Sequence, residues 1–385
     1  MKKINAQIIA DSIDERGNRI TSFILTYPRF IHAELMTHRM FSRNSASSRA
    51  IPFEKMLKMV NDDCFIPIAW QRDHKGMQGT EYINPHTDPN CSPISDWLEA
   101  RDHAMNTAEE MNADGVTKQL VNRLLEPFMW HTVLVTATEF SNFFDLRCPK
   151  YKTQGLAIDT CKSKKDWLHY MQYSSALPSS QYPNTLIDWL KINESQAEIH
   201  MQALAEAVWD SYNESTPTKL LSGQWHIPFG NQMDEEAIES IVLNSQSKMI
   251  GTANPEWIQA AKLKVSIARC ARLSYMTFEN EINYEKDIIL HDQLLKSKHS
   301  SPFEHVARCM TDLEYYSFIK GEYPTGRDNM KNIFNYEVYA KVIEEDSEWI
   351  GFSGVNPNTK DLYGWSNNFR GFIPYRYIIE KCGKN

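Results

Sequence analysis

The tightest constraint on the fold lies in residues 131–150, HTVLVTATEFSNFFDLRCPK, where a β-branched strand runs directly into a short helix. Val133, Leu134 and Val135 are apolar on both faces, the pattern of a strand buried inside a sheet. The helix that follows must stop at Cys148, because the residue before Pro149 resists helical geometry. A buried strand needs neighbours, and QIIADSIDERGNRITSFILTYPRF reads as two strands around a turn at Glu15-Arg16-Gly17-Asn18, with Ile20, Phe23 and Leu25 among its apolar positions. Pro28 suits the first turn of a helix over 29–38, with Thr26 or Tyr27 at its cap. Phe30, Ile31 and Leu35 give that helix an apolar face, while Glu34 and His38 share another. Strands interleaved with helices predict an α/β fold of the α+β kind.

Further along, the spacing predicts helices in SDWLEARDHAMNTAEEMNADG, TKQLVNRLLEPF, SQAEIHMQALAEAVWDSY, PEWIQAAKLKVSIARCARL and YEKDIILHDQLLKSK, then a strand in VARCMTDLEYYSF. Residues 62–95 and 150–194 are polar excursions that read as insertions. A first part over 1–222, a connector over 223–253 and a second part over 254–385 follow from these boundaries.

Directly after the first helix comes THRMFSRNSASSRAIP, residues 37–52. It sets His38, Arg39, Arg43 and Arg49 among Ser42, Ser45, Ser47 and Ser48 without one carboxylate. A solvated helix face usually alternates signs. Cations and hydroxyls without carboxylates suit an anion with several oxygens, such as a phosphate, and suit a plain basic loop equally. The whole chain carries a net charge of -8, which argues against nucleic acid held by general electrostatics and leaves a local anion site open. No stretch approaches a membrane span, the start lacks a signal-peptide apolar region, and the seven cysteines show no C-x-x-C. These features predict a cytoplasmic protein without a disulfide framework.

Two more stretches carry chemistry. In NFFDLR, Asn142 and Arg147 bracket the last turn of a helix. In KHSSPFEH, His299, Ser301, Glu304 and His305 surround a helix-breaking proline. Each has a plain structural reading: Arg147 answering the helix dipole, Glu304 and His305 as a surface ion pair, His299 as a helix end. A metal site at His299, His305 and Cys309 matches no standard zinc spacing, so no metal is expected.

Together these stretches resemble the flavin-dependent thymidylate synthases. That family carries Arg-His-Arg, seven residues, then Ser-x-Arg; Thr37-His38-Arg39, Ser47 and Arg49 fall on it with one departure. Its helix ending Asn-x-x-x-Leu-Arg is matched by Asn142, Leu146 and Arg147, and its Ala-Gln-x-Glu-Ile helix start by SQAEI. Its Ala-Arg-x-Ser-Tyr and His-x-Ser/Thr-Pro-Phe-Glu-His segments are matched by CARLSY (Arg272, Ser274) and KHSSPFEH. The order differs from the usual one, since the last two segments here follow the signature instead of preceding it. The resemblance therefore implies a circularly permuted synthase-like fold with insertions, and it covers about half of the chain, near 20–50, 117–150, 195–213 and 265–308.

The resemblance implies a transferase that reductively methylates dUMP to dTMP, a step of nucleotide biosynthesis. FAD would be the cofactor, NADPH and methylenetetrahydrofolate the co-substrates, and a homotetramer the assembly. It assigns FAD contacts to His38, Arg39, Asn142, Ser274, His299, Ser301 and Glu304. It assigns the pyrimidine deoxynucleotide monophosphate to Ser47, Ser48, Arg49, Arg123 and Arg147, with Arg147 and Ser47 closest to the chemistry. Arg49 would hold the phosphate, and Arg147 would stabilise negative charge on the ring as C5 becomes nucleophilic. No cysteine nucleophile is needed in this family.

Two departures bear on the substrate. Thr37 replaces the first arginine of the signature. Glu34 stands where the family has a nucleotide-contacting glutamine, and a carboxylate there accepts from an exocyclic amine such as cytosine N4. A relative acting on dCMP, or one leaving a hydroxymethyl group, is the alternative enzyme; a non-catalytic flavin- or nucleotide-binding protein is the alternative of another class. NNFRGFIPYR offers Arg370 and Arg376 as compensating cations, or is an ordinary amphipathic stretch.

Overall fold

Strands β1 (Asn5–Asp14) and β2 (Arg19–Pro28) form the expected hairpin. Gly17 takes the left-handed φ of 86° that the turn requires, and the Asp14 carboxylate accepts from the Arg16 and Asn18 amides at 2.9 and 2.7 Å. The computed structural model describes residues 2–75, 81–83, 92–153, 157–174, 177–245, 254–273, 283–312, 314–315, 364–366 and 368–382. After β2, the helical segment is shorter than expected. A 3-10 turn at Arg29–Ile31 leads into α1 (His32–Leu35), which closes as the Thr37 and His38 amides bond back to the Glu34 and Leu35 carbonyls.

With β3 (Ser42–Ser45), β4 (Trp130–Ala137) and β5 (Thr218–Leu220), the hairpin makes a sheet in the order β3-β4-β2-β1-β5. Neighbours are antiparallel except β1 and β5. The buried strand thus lies inside the sheet, as its composition demands. On one face, Phe23, Leu25, Val133 and Val135 pack against Met201, Leu204, Ala205 and Val208 of the helix Ile199–Glu214. On the other, Ile9 and Leu134 meet Ala261 and Val265 of the helix Pro255–Arg272 and Ile238 of the helix Glu235–Ser245. Each of the larger of these side chains contributes about 1.5–3 kcal/mol through burial, the alanines less. The fold is mixed α/β.

Beyond this lies a three-stranded antiparallel sheet of β6 (Trp225–His226), β7 (Ala307–Cys309) and β8 (Phe372–Pro374). A chain of buried polar groups ties it to the larger sheet. Ser12 meets His226 Nδ1 at 2.9 Å, and His226 Nε2 meets Ser22 at 2.9 Å. Ser22 meets Thr136 at 2.6 Å, and Thr136 meets His305 Nδ1 at 2.9 Å. Both histidines are fully buried, and burial pushes each down to about 3.

Among the described residues of VARCMTDLEYYSF, strand covers Ala307–Cys309; Glu314 folds back, its carboxylate accepting from the Thr311 amide at 2.8 Å, and residues 313 and 316–318 lie outside the described residues. Residues 150–194 are less irregular than their polarity suggests. They form helices Lys164–Ser174 and Leu186–Lys191 around their own core of Tyr151, Trp167, Met171 and Trp189. A few large aromatic residues build that core, and an average over polar neighbours hides them. Among the described residues no helix is long and apolar enough to cross a membrane, and no group of three or more metal-ligating side chains forms.

Candidate functional site

The helix Ser141–Arg147 follows β4 and is anchored by buried Phe143 and Phe144. Its last amide-to-carbonyl bond runs from Cys148 to Phe144, and Pro149 ends it. Arg147 is thereby fixed at the helix end, with 22% of its side chain exposed. Its Nε donates to His38 Nε2 at 3.1 Å, and its Nη2 donates to Thr37 Oγ1 at 3.4 Å. Its Nη1 lies 3.6 Å from the Glu34 carboxylate. One guanidinium thus collects three residues from the short helix and the turn after it.

His38 is held between aromatic rings, 4.9 Å edge-on from Phe143 and 5.8 Å from Phe41. Burial, with Arg147 and Arg43 nearby, pushes it down to about 4. Burial also raises the Glu34 carboxyl, with Glu198 adding to the rise and Arg147 opposing it. Glu198 caps the helix Ile199–Glu214 by accepting from the His200 and Met201 amides at 2.8 and 2.9 Å. His200 Nε2 in turn accepts from the Ile68 amide at 3.0 Å, so the excursion after residue 62 reaches this corner.

The basic serine run divides its labour. Arg43 is structural: its guanidinium donates to the Met36 carbonyl at 2.8 Å and the His38 carbonyl at 3.3 Å. Ser47 starts a turn in which its carbonyl accepts from the Ala50 amide at 2.9 Å. Ser48 is buried on Glu126, which also has Arg29 at 3.7 Å and Arg123 at 3.9 Å. Arg39 and Arg49 are exposed, with no ion pair or side-chain hydrogen bond among the described residues. Three arginines with exposed guanidinium surface, Arg39, Arg49 and Arg123, therefore border this run and face solvent where an anion can reach them.

Segments far apart in sequence meet at β3. Asn44 Nδ2 donates to the Cys270 carbonyl at 2.6 Å, and Ser301 Oγ donates to Asn44 Oδ1 at 3.4 Å. Residues of the 265–308 stretch thus contact residues of the 20–50 stretch. Glu304 pairs with Arg376, which also holds Glu380 at 2.6 Å. His299 is exposed beyond the helix Tyr284–Lys296, and Asn142 is exposed on the first turn before Arg147. His305 is not a surface ion-pair partner; it is fully buried in the polar chain described above. Arg272 is engaged by Asp287 at 2.7 Å. Ser274 lies outside the described residues.

The sequence reading missed Asn44 and Glu198. Asn44 stood unremarked inside the basic run, and Glu198 sat in SQAEI as a helix start. Asn44 marks itself only through partners more than two hundred residues away, and Glu198 only through its place near Glu34 of α1.

No protein-family model matches the chain, and no curated protein matches it. Among solved structures, it is similar to a UMP/dUMP methylase PolB from Streptomyces cacaoi bound with 5-Br UMP. That likeness has 13% identity and a TM-score of 0.32, covering 46% of this chain and 89% of that one. The same protein bound with 5-Br dUMP gives 14% identity and a TM-score of 0.28, covering 41% of this chain and 65% of that one.

Proposed function

We propose that the chain transfers a one-carbon unit to C5 of a pyrimidine deoxynucleotide monophosphate and reduces it, converting dUMP to dTMP with methylenetetrahydrofolate and NADPH. The observation that carries this reading is the convergence of Glu34, Thr37 and His38 on Arg147. A fixed, half-buried guanidinium can stabilise negative charge developing on a bound ring without reorganising. Exposed Arg39, Arg49 and Arg123 fit the phosphates such a ligand brings.

The residues also fit FAD, which supplies the hydride when bound. Arg39 and His38 suit a pyrophosphate, while Asn142, Ser301 and His299 suit the polar edges of its rings. His38 is neutral, so its part is to orient Arg147 and offer an Nδ1–H, not to add a charge. The order of the motifs supports a circularly permuted chain, and exposed cations at the rim are consistent with a site completed by another copy in a homotetramer.

Glu34 favours a second reading, with dCMP as substrate. An acceptor beside Arg147 suits the exocyclic amine of cytosine as well as the N3–H of uracil. The test is product mass after incubation with dUMP or dCMP, methylenetetrahydrofolate and NADPH, with the flavin released on denaturation measured alongside. A mass gain of one methyl group on dUMP supports the first reading and on dCMP the second. Protein that takes up FAD and oxidises NADPH but alters neither nucleotide overturns both.

A further inference from the structure

Residues 368–376 touch three parts of the candidate site. Asn368 Nδ2 donates to the Met40 carbonyl at 3.0 Å and to Ser42 Oγ at 2.9 Å. The Arg370 amide donates to Thr138 Oγ1 at 2.9 Å, between β4 and the helix that carries Arg147. Arg376 pairs with Glu304, and Arg43 stands close enough to Glu304 to feel its charge. The segment is locked down by β8 pairing with β7 and by the Tyr375 amide on the Val306 carbonyl at 2.8 Å. Residues 368–376 are therefore built into the fold, with Asn368 reaching the signature run and Arg376 reaching the Pro-Phe-Glu-His segment.

We propose that Asn368 and Arg376 are positioning residues: Asn368 sets the Met40–Ser42 turn behind Arg39, and Arg376 sets the Glu304 carboxylate. This rests on the reading of His38, Arg39 and Glu304 as the cofactor side of the site. A glutamate with a single guanidinium gripping it has one orientation; without that grip its rotamers open to solvent and its hydrogen-bonding oxygens scatter. The Met40 carbonyl and Ser42 hydroxyl share one amide donor, so losing it frees both ends of the turn together. In this reading Arg376 serves Glu304.

The test compares Arg376→Met, Arg376→Lys, Asn368→Ala and Glu380→Gln. Glu380 pairs with Arg376 away from Glu304 and serves as control. Arg376→Met is expected to weaken FAD binding about tenfold, the effect of one charge-assisted hydrogen bond. It is expected to shift the visible flavin spectrum while leaving the thermal midpoint near wild type. Lysine should restore part of the loss, and Glu380→Gln should match wild type.

Amide exchange supplies a reading without cofactor: faster at 301–305 in Arg376→Met, faster at 40–43 in Asn368→Ala, unchanged in the helix Ile199–Glu214 for both. Unchanged exchange at both places overturns the proposal, as does wild-type FAD affinity in Arg376→Met when wild type binds FAD. Wild-type protein that takes up no FAD would instead overturn the cofactor reading, with the exchange comparison still deciding the positioning roles.

Discussion

Arg147 donates from Nε to Nε2 of His38 across 3.1 Å, and this one bond settles the state of both side chains. An Nε2 that accepts leaves the ring proton on Nδ1, so His38 is neutral. Its titration, pushed down to about 4 by burial, runs in the same direction. The guanidinium is then the fixed cation of this corner, braced by a neutral ring, a hydroxyl and one carboxylate.

Removing that cation should strike the chemistry first. Arg147→Ala is expected to slow one-carbon transfer by about 10²–10³-fold, the loss that follows removal of one preorganised donor. Flavin retention and NADPH oxidation should change much less. Arg147→Lys should not rescue, because a point charge cannot serve His38, Thr37 and Glu34 as a planar fork does. A mere helix-end charge predicts the reverse: a small stability loss, intact transfer and an adequate lysine. Single-turnover rates with flavin occupancy decide between them.

The buried histidines make folding sensitive to acid. His226 and His305 are held down to about 3 by burial, against about 6.5 in an unfolded chain. Below pH ~6.5 the unfolded chain gains protons that the folded one refuses, so stability present above that pH is lost as pH falls toward 3. The slope is about 1.4 kcal/mol per pH unit for each histidine. His32 and His38, both lowered to about 4, act with the same sign. Glu206 and Asp210, raised by burial, act with the opposite one. The quantity to read is therefore the difference between wild type and His226→Asn/His305→Asn in urea midpoint from pH 7.5 to 4.5. The variant should be less stable at pH 7.5 and lose less on acidification; parallel profiles would refute the account.

Much of this was legible in the sequence, and the limit is physical. The hairpin, the buried strand and the stop at Cys148 were readable because each rests on local chemistry: a Gly turn, β-branching on both faces, a proline. The grouping of Glu34 with His38 followed from helical spacing, although the helix itself proved shorter. Other features depend on partners remote in the chain. Arg43 looks like an anion ligand until its carbonyl partners at Met36 and His38 are seen. His305 looks like a surface partner of Glu304 until Thr136 and the second sheet cover it. Arg376 reads as a spare cation, and only the pairing of β8 with β7 brings it to Glu304.

Gly371 should resist substitution more than Gly17, although both have left-handed backbones, with φ of 76° and 86°. Alanine at Gly17 meets nothing within 4 Å. At Gly371 the new Cβ would stand 2.6 Å from Asp14 Oδ2 and 2.8 Å from Asn18 Cβ. Asp14 cannot retreat, since its carboxylate holds the hairpin turn through the Arg16 and Asn18 amides. Gly17→Ala should cost about 1–2 kcal/mol from the backbone alone. Gly371→Ala should cost clearly more in denaturant unfolding, and equal losses would mean that the contact with the hairpin is slack.

Asn44 is one of the side chains that join the two distant parts of the chain at the site. Cys270 lies within the last four residues of its helix, where carbonyls lack an intrahelical partner, and Asn44 Nδ2 supplies one at 2.6 Å. Asn44→Ala leaves that buried carbonyl without this donor and should destabilise by about 1–3 kcal/mol. Asn44→Asp should be worse at neutral pH, because it turns a donor into a second acceptor facing the carbonyl. Ser301→Ala, which removes only a 3.4 Å contact, should cost less than either. Urea midpoints for the three variants give the ranking Asp, Ala, then the serine change. A midpoint for Asn44→Ala equal to wild type would show that β3 and the helix Pro255–Arg272 are held together by packing alone.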